Sequence, residues 1–150
     1  MSKFVYRMQN ILNIKYKLED QAKTEFMLAN QILREEEEKL QILKDRKNGY
    51  EEEVRRLLQK SLQVERIKEN QGAIVRMKEF IIEQESCVKE AQYQVDLKAE
   101  KWTELRKERK AQEKLKEKAF ENFLQEENAR ESKEIDELVS FTYGRRQREE

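Results

Sequence analysis

The chain has 150 residues, with 32 Lys+Arg against 32 Asp+Glu, a formal net charge of zero and 43% charged residues, far above the roughly 25% of an ordinary globular domain. Histidine and proline are absent and there is one cysteine, Cys87. This excludes an internal disulfide or cysteine-based zinc site and removes the commonest general base and metal ligand. Leu, Ile, Val and Phe make up 36 of the 150 residues, enough for order, while no apolar run approaches the roughly 18 residues of a membrane span. The composition is that of long coiled-coil helices, and it argues against a self-sufficient enzyme. Gly49, Gly72 and Gly144 are too scattered for a phosphate-cradling loop.

In chain order, the first expected element is a helix over about 4–59. One heptad series reads Leu12, Glu19, Phe26, Leu33, Leu40, Lys47 and Val54, and its partner reads Lys15, Ala22, Ala29, Glu36, Leu43, Tyr50 and Leu57. Most of these positions are apolar, and Ile11, Leu18 and Ile32 widen the stripe on one flank. Such a pattern is the seam of a packed helix. Extending it places Ser61 and Lys68 where apolar residues belong, while a new series opens at Ile67. A phase break within 59–66 is what a reversal of the chain produces, so a turn is expected at about 60–64, with Ser61 a candidate cap. Gly72 is the rival turn position and Asn48-Gly49 a local softening.

The second helix is expected over about 65–140. Its seam reads Ile67, Ile74, Ile81, Val88, Val95 and Trp102, with the companion series Asn70, Met77, Gln84, Ala91, Lys98 and Leu105. Two helices joined by a short turn lie antiparallel, with a paired section about 80 Å long at 1.5 Å rise per residue. Neither stripe is wide enough for a globule, so each helix serves as the other's core. The predicted fold is all-α, two long antiparallel helices forming one elongated coiled-coil hairpin. Pairs such as Glu35 with Lys39, Glu51 with Arg55, Glu52 with Arg56 and Glu85 with Lys89 are expected on the outer faces. Beyond Leu105 the heptad is expected to fail, because Arg109, Gln112 and Lys116 fall on seam positions while apolar residues return in another phase at Ala111, Leu115, Ala119, Phe120, Phe123 and Leu124. The later part of this helix is expected to project unpaired, and residues 141–150 to fray.

The acidic runs Glu35–Glu38 and Glu51–Glu53 read as solvated helix faces, because consecutive helical residues diverge and cannot converge on one atom. The basic stretch from Arg106 to Lys118 is interleaved with Glu108, Glu113 and Glu117. It lacks aromatics for base stacking, so a docking surface for an acidic protein fits better than nucleic acid. Trp102 reads as seam packing and a possible anchor, and Cys87 as an inert small group.

The opening Phe4-Val-Tyr-Arg-Met-Gln-Asn-Ile-Leu12, the basic segment Arg106–Lys118, and the closing Phe120-Glu-Asn-Phe-Leu-Gln-Glu-Glu-Asn128 and Lys133-Glu-Ile-Asp-Glu-Leu138 together resemble the flagellar export FliJ family. The resemblance implies an antiparallel two-helix coiled coil similar to the central stalk subunit of rotary ATPases. It implies a non-enzymatic export component whose partners are the hexameric flagellar export ATPase, the cytoplasmic domain of the export gate and export chaperones. No cofactor, metal, nucleic acid or small-molecule ligand is expected. The chain is expected to be cytoplasmic, peripheral to the inner membrane through the export apparatus, and monomeric when free. Leu43, Tyr50 and Met77 occupy positions matching the family's gate-contacting surface. Phe80 stands where a small residue is common, and Ala73 where the family has an aromatic. Arg106, Arg109, Lys110, Lys114 and Lys118, on the projecting helix, are the expected ATPase-facing residues. The competing expectation is a generic coiled-coil spacer that self-associates in parallel. The mid-chain phase break argues against it.

Overall fold

A computed structural model describes residues 2–60 and 63–149. Helix α1 spans Gln9–Lys60 and helix α2 spans Val64–Glu149. They pack antiparallel as a hairpin, with Glu25 meeting Lys98 and Glu36 meeting Gln84. Ser61 and Leu62, which carry the expected cap and the middle of the expected turn, lie outside the described residues.

The helix ends follow local chemistry. Lys60 stands in the last turn of α1 and Glu65 in the first turn of α2, each placed favourably on the helix dipole. The Gln63 carbonyl accepts the Ile67 N–H at 3.1 Å, opening α2. Gly49 and Gly72 both lie inside helices, and no described residue has a positive φ. A helical glycine costs only about 1 kcal/mol, which a long packed helix absorbs. The chain therefore does not turn at Gly72.

Two element ends differ from expectation. α1 begins at Gln9, and Ser2–Met8 form a non-helical arm whose Tyr6 carbonyl accepts the Gln9 N–H at 3.2 Å. α2 continues past residue 140 to Glu149. Thr142 Oγ1 donates to the Leu138 carbonyl at 2.9 Å, Gln147 Nε2 donates to the Tyr143 hydroxyl, and Arg145 approaches Glu149. One glycine does not outweigh the helix-forming residues around it.

The hairpin divides into two units. Unit 2, Asp20–Glu104, holds the core cluster Ala29, Leu33, Ala91 and Val95, against which Phe26 and Val88 pack. The Phe26 and Trp102 rings lie 5.4 Å apart, a favourable aromatic spacing. Unit 1, Met1–Glu19 with Leu105–Glu150, contains the N-terminal arm, the start of α1 and the second half of α2.

Every position of the expected seam series is buried or half-buried. The flanking Ile11, Leu18 and Ile32 are exposed, at 40%, 38% and 53%, so the stripe is narrower than their presence implies. The expected outer pairs are also redrawn. Lys39 meets Glu36, Glu51 meets Lys47 and Arg56 meets Glu53, at i,i+3 or i,i+4 spacing.

The expected loss of the heptad beyond Leu105 is overturned. Arg109, Gln112, Lys116, Ala119 and Phe123 are half-buried, continuing the Trp102 and Leu105 series without a phase change. Ala111, Leu115, Phe120 and Leu124 are exposed. At Arg109 and Gln112 the seam holds its register because each finds a polar partner across the hairpin, Glu19 and Tyr6, and a paired polar group is a tolerable seam residue where an unpaired one is not.

Candidate partner-binding surfaces

In unit 1, the polar seam is built around Arg109. Its Nε donates to Glu19 Oε2 at 2.5 Å and its Nη2 to Glu19 Oε1 at 3.1 Å. This two-pronged pairing joins α2 to α1 with the planar geometry that guanidinium and carboxylate share. Arg109 Nη1 donates to Glu113 Oε2 at 3.0 Å, and the Tyr16 hydroxyl donates to the other Glu113 oxygen. The Arg109 guanidinium lies 6.0 Å from the Tyr16 ring centre, the outer edge of a cation–π contact. Lys15 pairs with Glu108 at 3.0 Å, and Arg106 approaches Glu19 at 3.9 Å.

The electrostatics follow from these bonds. The Tyr16 hydrogen bond holds the Glu113 carboxyl below its ordinary range, burial opposing and Arg109 adding to the effect. The same bond, with burial and the Glu113 charge, pushes the Tyr16 hydroxyl up. Hydrogen bonding to Glu19 raises Arg109 still further above its already high value. At neutral pH Arg109 and Glu113 are therefore charged and Tyr16 is neutral, and the cluster is a charged clamp between α1 and α2.

The N-terminal arm extends the clamp along α2. The Phe4 ring meets Phe120 edge-on at 5.2 Å and Phe123 at 5.4 Å. Tyr6 is buried, and its hydroxyl donates to Gln112 Oε1 at 3.3 Å. Ser2 Oγ donates to Glu127 Oε1 at 2.7 Å, and Arg130 reaches both Ser2 and Glu127 at 3.1 Å. A groove of about 450 Å³ is lined by Phe4, Leu12, Tyr16 and Phe120 together with the charged Glu113, Lys116 and Glu117.

This arrangement corrects the placement of the expected ATPase-facing residues. Arg106–Lys118 is not an overhang, because the first residues of α1 and the arm lie against it. The arm adds reach that a helix count alone omits, since extended chain covers roughly twice the length per residue of a helix. Arg109 is half-buried and bound to Glu19, and Arg106 is half-buried beside it. Lys110, Lys114 and Lys118 are exposed and recur every four residues, so they share an outward face. The true overhang begins later. Beyond Arg130, every described side chain of α2 except Gly144 is exposed.

In unit 2, the expected gate-facing residues divide. Leu43, Tyr50 and Met77 are half-buried seam residues, while Phe80 is 46% exposed. Nearby Val75 and Ile82 are more exposed still. Neither stood out in the sequence, because both lie off the heptad. A polar hollow is lined by Arg46, Gly49, Tyr50, Glu53, Arg66, Glu69 and Asn70. Further along, Gln84 donates to both the backbone carbonyl and the carboxylate of Glu36, which lowers the Glu36 pKa. One member of the acidic run is therefore a cross-helix bond, and Glu35, Glu37 and Glu38 are exposed. Lys98 and Lys101 both reach Glu25 at 3.3 Å, holding its carboxyl low.

Cys87 is exposed. Among the described residues no carboxylate or thiol cluster is arranged to hold a metal ion, and no helix is long and apolar enough to cross a membrane.

Comparison with known proteins agrees with this geometry. A search of curated proteins gave no match. Among solved structures, a putative YscO homolog from Chlamydia trachomatis superposes with a TM-score of 0.72 at 20% identity, over 99% of this chain and 100% of that one. That likeness is one of fold. The family model for the flagellar FliJ protein matches residues 3–148. The family pattern thus runs from the N-terminal arm through both helices, and the chain belongs to the flagellar FliJ family of type III export components.

Proposed function

We propose that the chain is a non-enzymatic stalk of the flagellar type III export apparatus, promoting assembly and ATP hydrolysis by the hexameric export ATPase. In the same reading it escorts export chaperones to the cytoplasmic domain of the export gate, at the cytoplasmic face of the inner membrane. The observation that carries the stalk role is the continuation of α2, helical and exposed, past the last residues that meet the N-terminal arm. A helical end with exposed side chains on all faces suits insertion into a ring. Its effect on hydrolysis would come from binding one ring arrangement more tightly than another, since only differential contacts shift such an equilibrium.

Lys110, Lys114 and Lys118, on the outward face of the paired stretch that precedes that end, are the ring-facing residues in this reading. Arg106 and Arg109 support them by fastening α2 to α1 through Glu19. For the gate, Phe80 offers the apolar contact, and Leu43, Tyr50 and Met77 shape the helices beneath it. A spacer pairing in parallel with another copy along its whole length needs one uninterrupted helix, whereas α1 ends at Lys60 and α2 starts at Val64.

The test is ring assembly and ATP turnover by the cognate export ATPase with and without this protein. Stimulation is expected, and it should fall when Lys110, Lys114 and Lys118 are all changed to Glu while the helical circular dichroism is unaltered. Equal turnover with and without the wild-type chain would remove the stalk role.

A further inference from the structure

The N-terminal arm is held to α2 in a way that neither the hairpin nor the stalk reading requires. Residues 2–8 are non-helical, and exposure alternates along them as in an extended chain. Phe4 is half-buried and Tyr6 buried, while Lys3, Val5 and Arg7 face water, Val5 at 79%. Among the described residues the arm makes no backbone–backbone hydrogen bond to α2. Its hold is two aromatic anchors, Phe4 on Phe120 and Phe123 and Tyr6 on Gln112, with Ser2 bonded to Glu127 and Arg130 at the far end. Helix α1 begins only at Gln9, and the contacts that Phe123, Glu127 and Arg130 make with the start of the chain are to the arm.

The fit beneath the arm is loose. A hollow of about 440 Å³ lies between it and Ala119, Asn122, Phe123 and Glu126, and the groove beside Tyr16 also has Phe4 in its wall. Phe4 borders both spaces and Tyr6 the first, so the anchors lack the dense packing that holds a core side chain. Glu127 is buried, at 9% exposure, and burying a carboxylate costs hydration that undocking restores. Holding residues 2–8 in one extended conformation costs chain entropy at each of them. Gain and cost therefore lie close together, as in segments that open while the rest of a fold stays intact.

We infer that the arm is a releasable strap that sets where the free end of α2 begins. Docked, it seats Phe4 against Phe120 and Phe123 and carries the paired hairpin to Arg130. Released, it bares α2 from about Ala119, lengthening the exposed helical end by about 18 Å at 1.5 Å rise per residue. Docked molecules dominate, with a released minority on the order of 1%, as for a state separated by a small free-energy gap. Release turns on the contacts of the arm and not on what the helical end enters, so an export ATPase that fails to respond leaves the strap intact.

Spin labels on Val5→Cys and Gln125→Cys, both exposed sites, in the full chain with the exposed Cys87 changed to Ser, test it by pulsed dipolar distance measurement. Without denaturant the chain should give one short, narrow distance. As urea is added, a longer and broader distance should appear before the helical dichroism falls, because the strap opens before the hairpin unfolds. Phe4→Ala should raise the released fraction at least about tenfold, since truncating a packed aromatic loses more than that. Phe4→Ala combined with Tyr6→Ala should leave the long distance dominant. Neither residue is helical, so helical dichroism close to wild type reports that the hairpin is folded. A short distance that persists until the helices melt overturns the inference, because the arm is then part of one cooperative fold. So does a long, broad distance alone in the wild-type chain, or a distribution that Phe4→Ala leaves unchanged.

Discussion

The pairing of Glu19 with Arg109 makes a demanding prediction, because it places two charges on the seam of a coiled coil. Their side chains keep only 14% and 19% of their exposure, so water screens the pair incompletely. Hydrogen bonds to charged groups contribute about 1.5–3 kcal/mol each where buried. Residual solvent and side-chain ordering reduce this, giving about 2 kcal/mol lost for Arg109→Leu, which takes the two-pronged partner from the Glu19 carboxylate and leaves Arg106 approaching it at 3.9 Å. Glu19→Leu should cost less, about 1 kcal/mol, because Arg109 keeps Glu113. The double variant should return to within about 0.5 kcal/mol of the wild type or exceed it, since apolar pairs often replace buried ion pairs without loss. The coupling energy is then about 3 kcal/mol, the upper end for residues in direct contact. Urea unfolding followed by circular dichroism measures all four corners of the cycle, with Arg109→Leu lowering the melting temperature by about 4–8 °C for a chain of this size. If both single variants lie within about 0.5 kcal/mol of the wild type, or the double variant is as unstable as Arg109→Leu, the two residues do not share a seam and the register is wrong.

Other outcomes follow from the same contacts. Glu25, Glu36, Glu53 and Glu113 all have carboxyl pKa values lowered in the fold by hydrogen bonds and neighbouring cations. The unfolded chain therefore binds more protons in acid, and stability that is complete above the ordinary carboxylate value of about 4.3 should be lost as pH falls through the lowered folded values. Thermal melts at successive pH values check this. Tyr16→Phe should bring the Glu113 titration, followed by NMR, back towards the ordinary range while Arg109 still holds it somewhat low. The raised Tyr16 value has the opposite sense, contributing stability below its ordinary value of about 10 and losing it as pH rises through the folded value. Gly49→Ala should stabilise the chain by about 0.5–1 kcal/mol, because a Cβ there meets nothing within 4 Å and a helical glycine carries an entropic cost. Tyr6→Ala should cost about 2 kcal/mol, less than a fully buried aromatic. It should raise amide hydrogen exchange in residues 2–12 before it affects unit 2.

The fold was legible in the sequence because a coiled coil writes its contacts as a repeat. Heptad spacing named the buried positions from Leu12 to Leu57 and from Ile67 to Leu105, and the change of phase between Leu57 and Ile67 announced the reversal. The candidate surfaces were legible only in part. Lys110, Lys114 and Lys118 are exposed as a docking surface requires, whereas Arg106 and Arg109 looked identical to them in the sequence and are drawn into the hairpin. A basic residue on a seam position signals either a failed seam or a paired one, and only its neighbour across the hairpin separates the two. Glu19, itself an unexplained polar residue on the opposing seam at a similar distance from the turn, was the available clue.

By itself the sequence determined the number of helices, their antiparallel sense, the seam and the family, all of which depend on local periodicity and on residue order. Tertiary structure decided what the polar seam residues do, where the overhang begins and how residues 2–8 are used. Those outcomes depend on which side chains meet across a hundred residues of chain, as Ser2 meets Glu127 and Glu19 meets Arg109. A one-dimensional repeat specifies which face turns inward, and the free energy of the face is settled by the partner it finds there.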